Sequence, residues 1–250
     1  MSNRFLRAGP GVTVSMFLAI ITLSGIPGHA DTVMTGSLGK PQATSPDSDM
    51  PPAKRKHARS PVPVSVVRTT PYQLDAGVAS WYHERGASDP TSNHPVYCHG
   101  YGCEFQTAIV IDDAALAALR TIFAGHDKSA ADERKAISEA VRWWERRASP
   151  LLGGPPRKHG SNIADAHHFG STDCIDEATN STTILVVLEA HGLLKYHTVM
   201  RPESRGFVFN AHSTAIVHET GGQDWAVDMW MHDMGEAPDI MPETQWMSEA

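Results

Sequence analysis

Apolar and polar positions repeat with different periods along this chain, and each period predicts a different kind of element. Between Asp112 and Gly125 the residues Leu116, Leu119, Ile122 and Phe123 recur at helical spacing, predicting an amphipathic helix capped by Asp112 or Asp113. A second stripe, Ile137, Val141, Trp144 and Ala148, predicts a helix that opens at Ser129, carries Asp132 and Glu133 in its first turn, and ends at Pro150. A third helix is predicted from Asp173, its N-cap, with Asp176 in the reciprocal capping position and Gly192 past its end. The second half of this helix, from Ile184 to Leu188, is apolar on every side, which marks an element enclosed by others.

Strands are predicted over residues 195–201, His212–Glu219 and 224–231, punctuated by Pro202 and Gly206 and then by Thr220-Gly221-Gly222-Gln223. A shorter β-branched stretch, 105–111, predicts one more. The rest of 72–105 reads as loop with short strands, and 149–170, rich in Gly, Pro and His, as loop without periodicity. A buried helix followed by an antiparallel meander is an α+β pattern.

The first 71 residues follow none of these periods. Arg4 and Arg7 precede a mostly apolar run over 12–26, and Gly28-His29-Ala30 offers a small-x-small cleavage site, which predicts a signal peptide over 1–30. The run is shorter than the roughly 20 apolar residues that cross a bilayer, so the cleaved chain is expected to keep no stable membrane span and to act in the periplasm or as a secreted protein. Residues 31–71 have Pro at 41, 46, 51, 52, 61, 63 and 71 and little to bury, predicting a disordered tether. Its basic cluster, residues 54–59, reads as solvated tether, with loose attraction to anionic envelope polymers as the sharper alternative. That leaves one α+β domain over 72–250. From Tyr72 onward 13 Lys and Arg face 25 Asp and Glu, a formal −12, and such a field excludes nucleic acid as a partner.

Three cysteines in an oxidising compartment permit one pair. Cys98 and Cys103 are close enough in sequence to close a small disulfide loop; metal binding with His94 or His99 is the alternative, and one C-x4-C is a weak metal signal. Cys174 is left over. It stands in the first turn of the helix opened by Asp173, where unpaired backbone N–H groups and the helix dipole favour a thiolate. His212 and Asp228 follow on successive strands, so the chain order is that of a Cys-His-Asp nucleophilic site. His212 directly faces Asp228 only in a register pairing His218 with Gly222, closed by the three-residue loop Glu219-Thr220-Gly221, or with a five-residue loop. A loop of even length turns Asp228 to the other face.

Cys174 at a helix start, then His212-Ser213-Thr214-Ala215-Ile216-Val217 on one strand and Trp225-Ala226-Val227-Asp228 on the next, resembles the transglutaminase-like branch of the papain-like cysteine enzymes over residues 171–230. The resemblance implies a nucleophile helix packed on an antiparallel sheet, here with additional N-terminal helices. It implies attack by Cys174 on a peptide, amide or isopeptide carbonyl to give a thioester, with His212 as general base then acid and Asp228 as its orienter. The acyl group passes to water or to an amine, and no cofactor is needed. The substrate is expected to be a peptide, a protein or a cell-envelope polymer. Ser213 and Thr214 depart from the pattern, where an aromatic residue often follows the strand His. The oxyanion donor beside the Cys174 N–H is open between Gln106, Asn162 and His168. Trp230, on the Asp228 face, is the expected cleft residue.

Two other classes compete. One is a non-catalytic envelope binding protein that keeps the fold. The other is a zinc-dependent hydrolase drawing on His159, His167, His168, His191, His197, His218 and His232, although no HExxH spacing occurs and no metal ligands are assigned.

Overall fold

The computed structural model describes residues 72–154, 156–160, 162–206 and 211–249. The signal peptide, tether and basic cluster expected over 1–71 lie outside the described residues. Among the described residues no helix is long and apolar enough to cross a membrane.

The architecture is α+β, with two antiparallel sheets. In chain order the elements are α1 (Ala76–Glu84), β1 (Val96–His99), β2 (Phe105–Ala108), α2 (Asp113–Phe123), α3 (Ala130–Leu152), α4 (Cys174–Ala190), β3 (His197–Arg205), β4 (His212–Glu219), β5 (Asp224–Asp228), β6 (Asp239–Pro242) and α5 (Glu243–Ser248). Strands β1 and β2 form a hairpin, and the larger sheet runs β3-β4-β5-β6. Alternation along β4 and β5 divides two cores. Ala215, Val217 and Val227 join the main core with Ile184, Leu185 and Leu188 of α4. On the other face Ile216 and Ala226 pack with Met241 and Trp246 of the C-terminal strand and helix.

Helix α4 is buried without interruption from Asp176 to Leu188. Its apolar half follows the pattern. Its polar half is buried because most of its side chains are spent on neighbours. The Asn180 amide grips the backbone of Cys98 from both sides, accepting its N–H at 2.6 Å and donating to its carbonyl at 2.8 Å. Thr179 Oγ1 accepts the Trp81 indole N–H at 2.9 Å, and Thr183 Oγ1 meets the Tyr82 hydroxyl at 2.8 Å. Helix α1 and strand β1 are thereby fastened to the helix that carries Cys174.

The Cys98–Cys103 disulfide is present, and its loop caps α4. Gly100, Tyr101, Gly102 and Cys103 all have φ in the left-handed region, so successive N–H groups turn toward one side. Those of Tyr101 and Cys103 donate to the Asp176 carboxylate at 2.8 and 2.7 Å, and that of Gly102 to Asp173 at 3.2 Å. A side chain at Gly100 has no room, because its Cβ would stand 2.4 Å from the Phe105 ring. Asp173 and Asp176 form the expected capping box.

Several boundaries differ from the pattern. Helix α1 falls where loop was expected, with Asp75 capping it and Val78, Trp81 and Tyr82 as its buried face. Helix α3 runs through Pro150 to Leu152. Proline in the last turn forfeits a single helical bond and leaves the preceding turns intact. Strand β3 reaches Arg205 through a bulge between Met200 and Glu203, and it tolerates Pro202 because it lies on the sheet edge. Strand β5 ends at Asp228, short of the expected 231.

The β4–β5 hairpin closes through Thr220-Gly221-Gly222, with the Glu219 N–H on the Gln223 carbonyl at 3.0 Å and Gly221 left-handed. His218 pairs with Asp224, and not with Gly222. The loop has the expected odd length, but it sits one residue later. His212 and Asp228 therefore share a face as diagonal neighbours instead of direct partners, a separation that a long side chain spans.

Candidate active site

Strands β4 and β5 bring His212 and Asp228 into contact. The imidazole Nε2 lies 2.7 Å from Asp228 Oδ2, with both side chains almost fully buried. The same oxygen accepts the indole N–H of Trp246 at 2.6 Å, and Oδ1 accepts the backbone N–H of Trp230 at 2.9 Å. Burial alone would raise the Asp228 carboxyl. The hydrogen bonds from His212, Trp230 and Trp246 and the His212 charge outweigh it, so the carboxyl is held below the usual range.

An ionised Oδ2 only accepts, so His212 Nε2 must carry a hydrogen, and in the neutral form of the ring Nδ1 is the atom with the lone pair. Nδ1 is buried and has no hydrogen-bond partner among the described residues. The indoles of Trp230 and Trp246 lie 5.4 and 5.6 Å from the imidazole, centroid to centroid, and hold the ring in place.

Cys174 is unpaired and partly buried at the first position of α4. Its thiol meets the backbone on both sides of His212. Sγ lies 3.9 Å from the carbonyl oxygen of Ala211, close enough to the Ser213 N–H to feel its lowering effect, and makes no hydrogen bond to His212 Nδ1. The helix start was expected to favour a thiolate, and here that effect is outweighed. Burial first, then the Asp173 carboxylate, push the thiol up to about 11 against the lowering effect of the Ser213 and Cys174 N–H groups. The cap adds to burial: Asp173 occupies the N–H groups of Ile175 and Asp176 at 3.1 and 2.9 Å and places a negative charge next to the sulfur.

One turn below Cys174 lies a buried ionic cluster. Glu177 accepts the Thr172 hydroxyl at 2.6 Å and pairs with Arg157 Nε at 2.6 Å, while Arg157 stands 3.9 Å from Glu145. The Tyr97 hydroxyl reaches both oxygens of Glu145 at 3.0 Å. One guanidinium serves two enclosed carboxyls, so the cluster retains a proton. Burial raises both carboxyls, and that of Glu145, the one farther from Arg157, is pushed up to about 8 by burial and by the Glu177 charge. Such a group stabilises the fold fully below its unfolded value, near 4.5, and loses that contribution as pH rises through 8. Asp176, also pushed up to about 8 by burial and by Asp173, acts with the same sign. The urea midpoint is thus expected to fall between pH 5 and 8. Glu145→Gln, which keeps the shape and needs no proton, should flatten the fall to the part due to Asp176 and to Glu177, whose carboxyl burial also raises; an unchanged slope would place the proton elsewhere.

The remaining site residues are scattered. Gln106 is engaged with Gly86 and Ser88, its amide donating to one carbonyl at 3.1 Å and accepting the other's N–H at 2.9 Å. Asn162 caps a short 3-10 turn, Ile163–Asp165, through its Oδ1. His168 is exposed and, with Asn162, lines a cavity of about 510 Å³ that opens beside Ser171 and Thr172, just before Cys174. None of the three is seen to donate at the Cys174 N–H. Trp230 lies at the His212 ring, and its carbonyl accepts the N–H of Gly160 at 2.9 Å, joining the β5 exit to the loop that follows α3. Among the described residues no group of three or more His, Cys, Asp or Glu is arranged to hold a metal ion. His159 and His167 are each paired with a carboxylate, Asp233 and Glu104.

Sequence periodicity missed Trp246, Arg157, Glu145 and Tyr97 as parts of this region. Each is far from Cys174 in sequence, and only the buried carboxylates within otherwise amphipathic helices offered a signal. No family model, no curated protein and no solved structure matches this chain.

Proposed function

We propose that this chain is an exported cysteine-dependent hydrolase or acyltransferase, built on a transglutaminase-like, papain-like core, that acts on a peptide, amide or isopeptide bond through a thioester on Cys174. The observation that carries this reading is the state of His212: Nε2 is committed to Asp228, Nδ1 is without a partner, and the thiol sits at the adjoining backbone. In the reading, His212 Nδ1 takes the Sγ proton as sulfur attacks the carbonyl carbon. The same proton then passes to the departing amine as the C–N bond breaks. Water or a second amine attacks the thioester, giving its proton to Nδ1, and the thiol is restored. Asp228 orients the ring and stabilises its charged form, and the Cys174 N–H is one donor to the developing oxyanion. The substrate is a peptide, a protein or a cell-envelope polymer, met outside the cytoplasm.

A thiol held near 11 also supports a second reading, an envelope binding protein whose cysteine does no chemistry. An activated ester separates the two. With p-nitrophenyl acetate, the folded protein is expected to form an acetyl adduct on Cys174, detected by peptide mass, faster than the urea-unfolded chain. His212→Ala should slow it by about 10²-fold or more, and Cys174→Ala should abolish it. Labelling no faster than in the unfolded chain would favour the binding protein. Iodoacetamide offers the imidazole no substrate amine to protonate, and its rate is expected to climb with pH toward 10; a plateau below pH 8 would instead mean a resting thiolate–imidazolium pair.

A further inference from the structure

One donor of the site comes from the last helix and not from the strands that carry His212 and Asp228. The Trp246 indole N–H and His212 Nε2 both meet Asp228 Oδ2, at 2.6 and 2.7 Å. Two donors on one oxygen occupy its lone pairs, so the place of the indole sets the direction from which the imidazole is held. Yet α5 has little of its own to keep that indole in place. It is six residues long, and isolated helices shorter than about 12 residues are marginal in water. No side chain caps its N-terminal end, where Pro242 precedes it.

Arg205, the last residue of β3, supplies a hold from outside the helix. It stands directly opposite His212 in the β3–β4 ladder, so both side chains leave the same face of the sheet. There it makes three contacts with the end of α5. Nη1 donates to the Trp246 carbonyl, the guanidinium carbon lies 4.5 Å from the centroid of the Trp246 ring, and the Glu249 carboxylate is 3.7 Å away. A carbonyl in the last turn of a helix is open to a side-chain donor, and a cation there also answers the negative end of the helix. The Arg205 side chain is 13% exposed, so these contacts are partly sheltered from solvent. One guanidinium thus grips the residue whose indole reaches Asp228.

We propose that Arg205 is a positioning residue of the acyl-transfer site: it seats Trp246, and through the indole it fixes the Asp228 carboxylate that orients His212. It takes no part in the bond-making steps. The role rests on the acyl-transfer reading of Cys174.

The Trp246 indole N–H reports the seating directly by proton NMR of the full chain. The protein has six tryptophans, and the signal lost in Trp246→Phe assigns the one that matters. Bonded to a carboxylate, it is expected downfield and slow to exchange. Arg205→Gln should move it upfield and speed its exchange, leaving the Trp81, Trp143 and Trp144 signals in place. With p-nitrophenyl acetate, Arg205→Gln should slow acylation of Cys174 by about fivefold to tenfold, the scale of one hydrogen bond. Arg205→Lys, which keeps a charge and a donor, should recover part of the loss. In a Trp246→Phe background the same Arg205→Gln change should cost less than about twofold, because the indole it acts through is gone. Should Arg205→Gln not fold, Arg205→Lys carries both readouts at smaller size. A merely structural arginine would lower the urea midpoint without singling out the Trp246 signal. A signal that Arg205→Gln leaves unmoved, an acylation rate that does not follow it, or losses that multiply in the double variant would overturn the role of Arg205 while the acyl-transfer reading stands. A wild-type protein that acylates no faster than the unfolded chain refutes that reading, and the positioning role with it, whatever the indole signal does.

Discussion

Asp228→Asn is expected to lower the rate of Cys174 acylation by about 10³- to 10⁴-fold, the scale on which an orienting carboxylate acts in a nucleophile–histidine–acid site. The cause is visible in what Asp228 accepts. Oδ2 takes N–H groups from His212 and Trp246, and Oδ1 takes the N–H of Trp230. A carboxylate satisfies all three; an amide cannot. With its oxygen toward His212, the asparagine turns its NH2 against the Trp230 N–H, and in the other orientation it meets two donors. It also removes the negative charge that steadies the imidazolium. The urea midpoint should fall by only about 1–3 kcal/mol, the cost of one buried group left unpaired, so the acylation loss is not explained by unfolding. Trp246→Phe, which withdraws one of the three donors and keeps the ring contact, should cost far less, about tenfold. An Asp228→Asn protein that acylates within threefold of the wild type would remove this carboxylate from the mechanism.

Arg157→Met should destabilise the fold by about 3–5 kcal/mol, as expected when one partner of a buried ion pair is removed. Its guanidinium is 6% exposed and lies between Glu177 and Glu145, which are 3% and 1% exposed. It also donates to the carbonyls of Lys158 and His232 at 3.2 and 2.9 Å, so it ties the loop after α3 to the loop after β5. Without it, two carboxyls remain in the interior and both must be protonated. The loss should therefore shrink as pH falls toward 5, and Arg157→Met combined with Glu177→Gln should recover more than half of it. Urea unfolding of the single and double variants checks both; additive losses would show that Arg157 acts through the loops and not through the carboxyls.

The parts of the fold that could be read from the chain are those where one local signal dominates. Helix α4 opens with a reciprocal carboxylate cap and closes in a run apolar on every side, so its position and burial follow from adjacent residues. Strand β4 has the predicted ends because Gly206 stands before it and Gly221-Gly222 after it. The pairing of Cys98 with Cys103 needed only their proximity. Helix α1 escaped notice, although Val78, Trp81 and Tyr82 carry a helical spacing, because a nine-residue helix between Gly- and Pro-rich segments holds too little periodicity to stand out. Strand β6 and helix α5 are shorter still, and their order comes from Trp246 packing under β5.

What the linear chain determined by itself is the inventory: which thiol is unpaired, which helix presents it, which strands follow, and that an odd hairpin loop keeps His212 and Asp228 on one face. These are local properties, set by capping, alternation and turn chemistry within a few residues. Tertiary structure decided the rest: the diagonal register that joins His212 to Asp228, the indole of Trp246 on that carboxylate, and the single guanidinium between Glu145 and Glu177. Only the fold could decide the protonation of Cys174 as well, because a thiol's charge depends on how much water burial removes and which carboxylates are brought near. Neither quantity is carried by any residue alone.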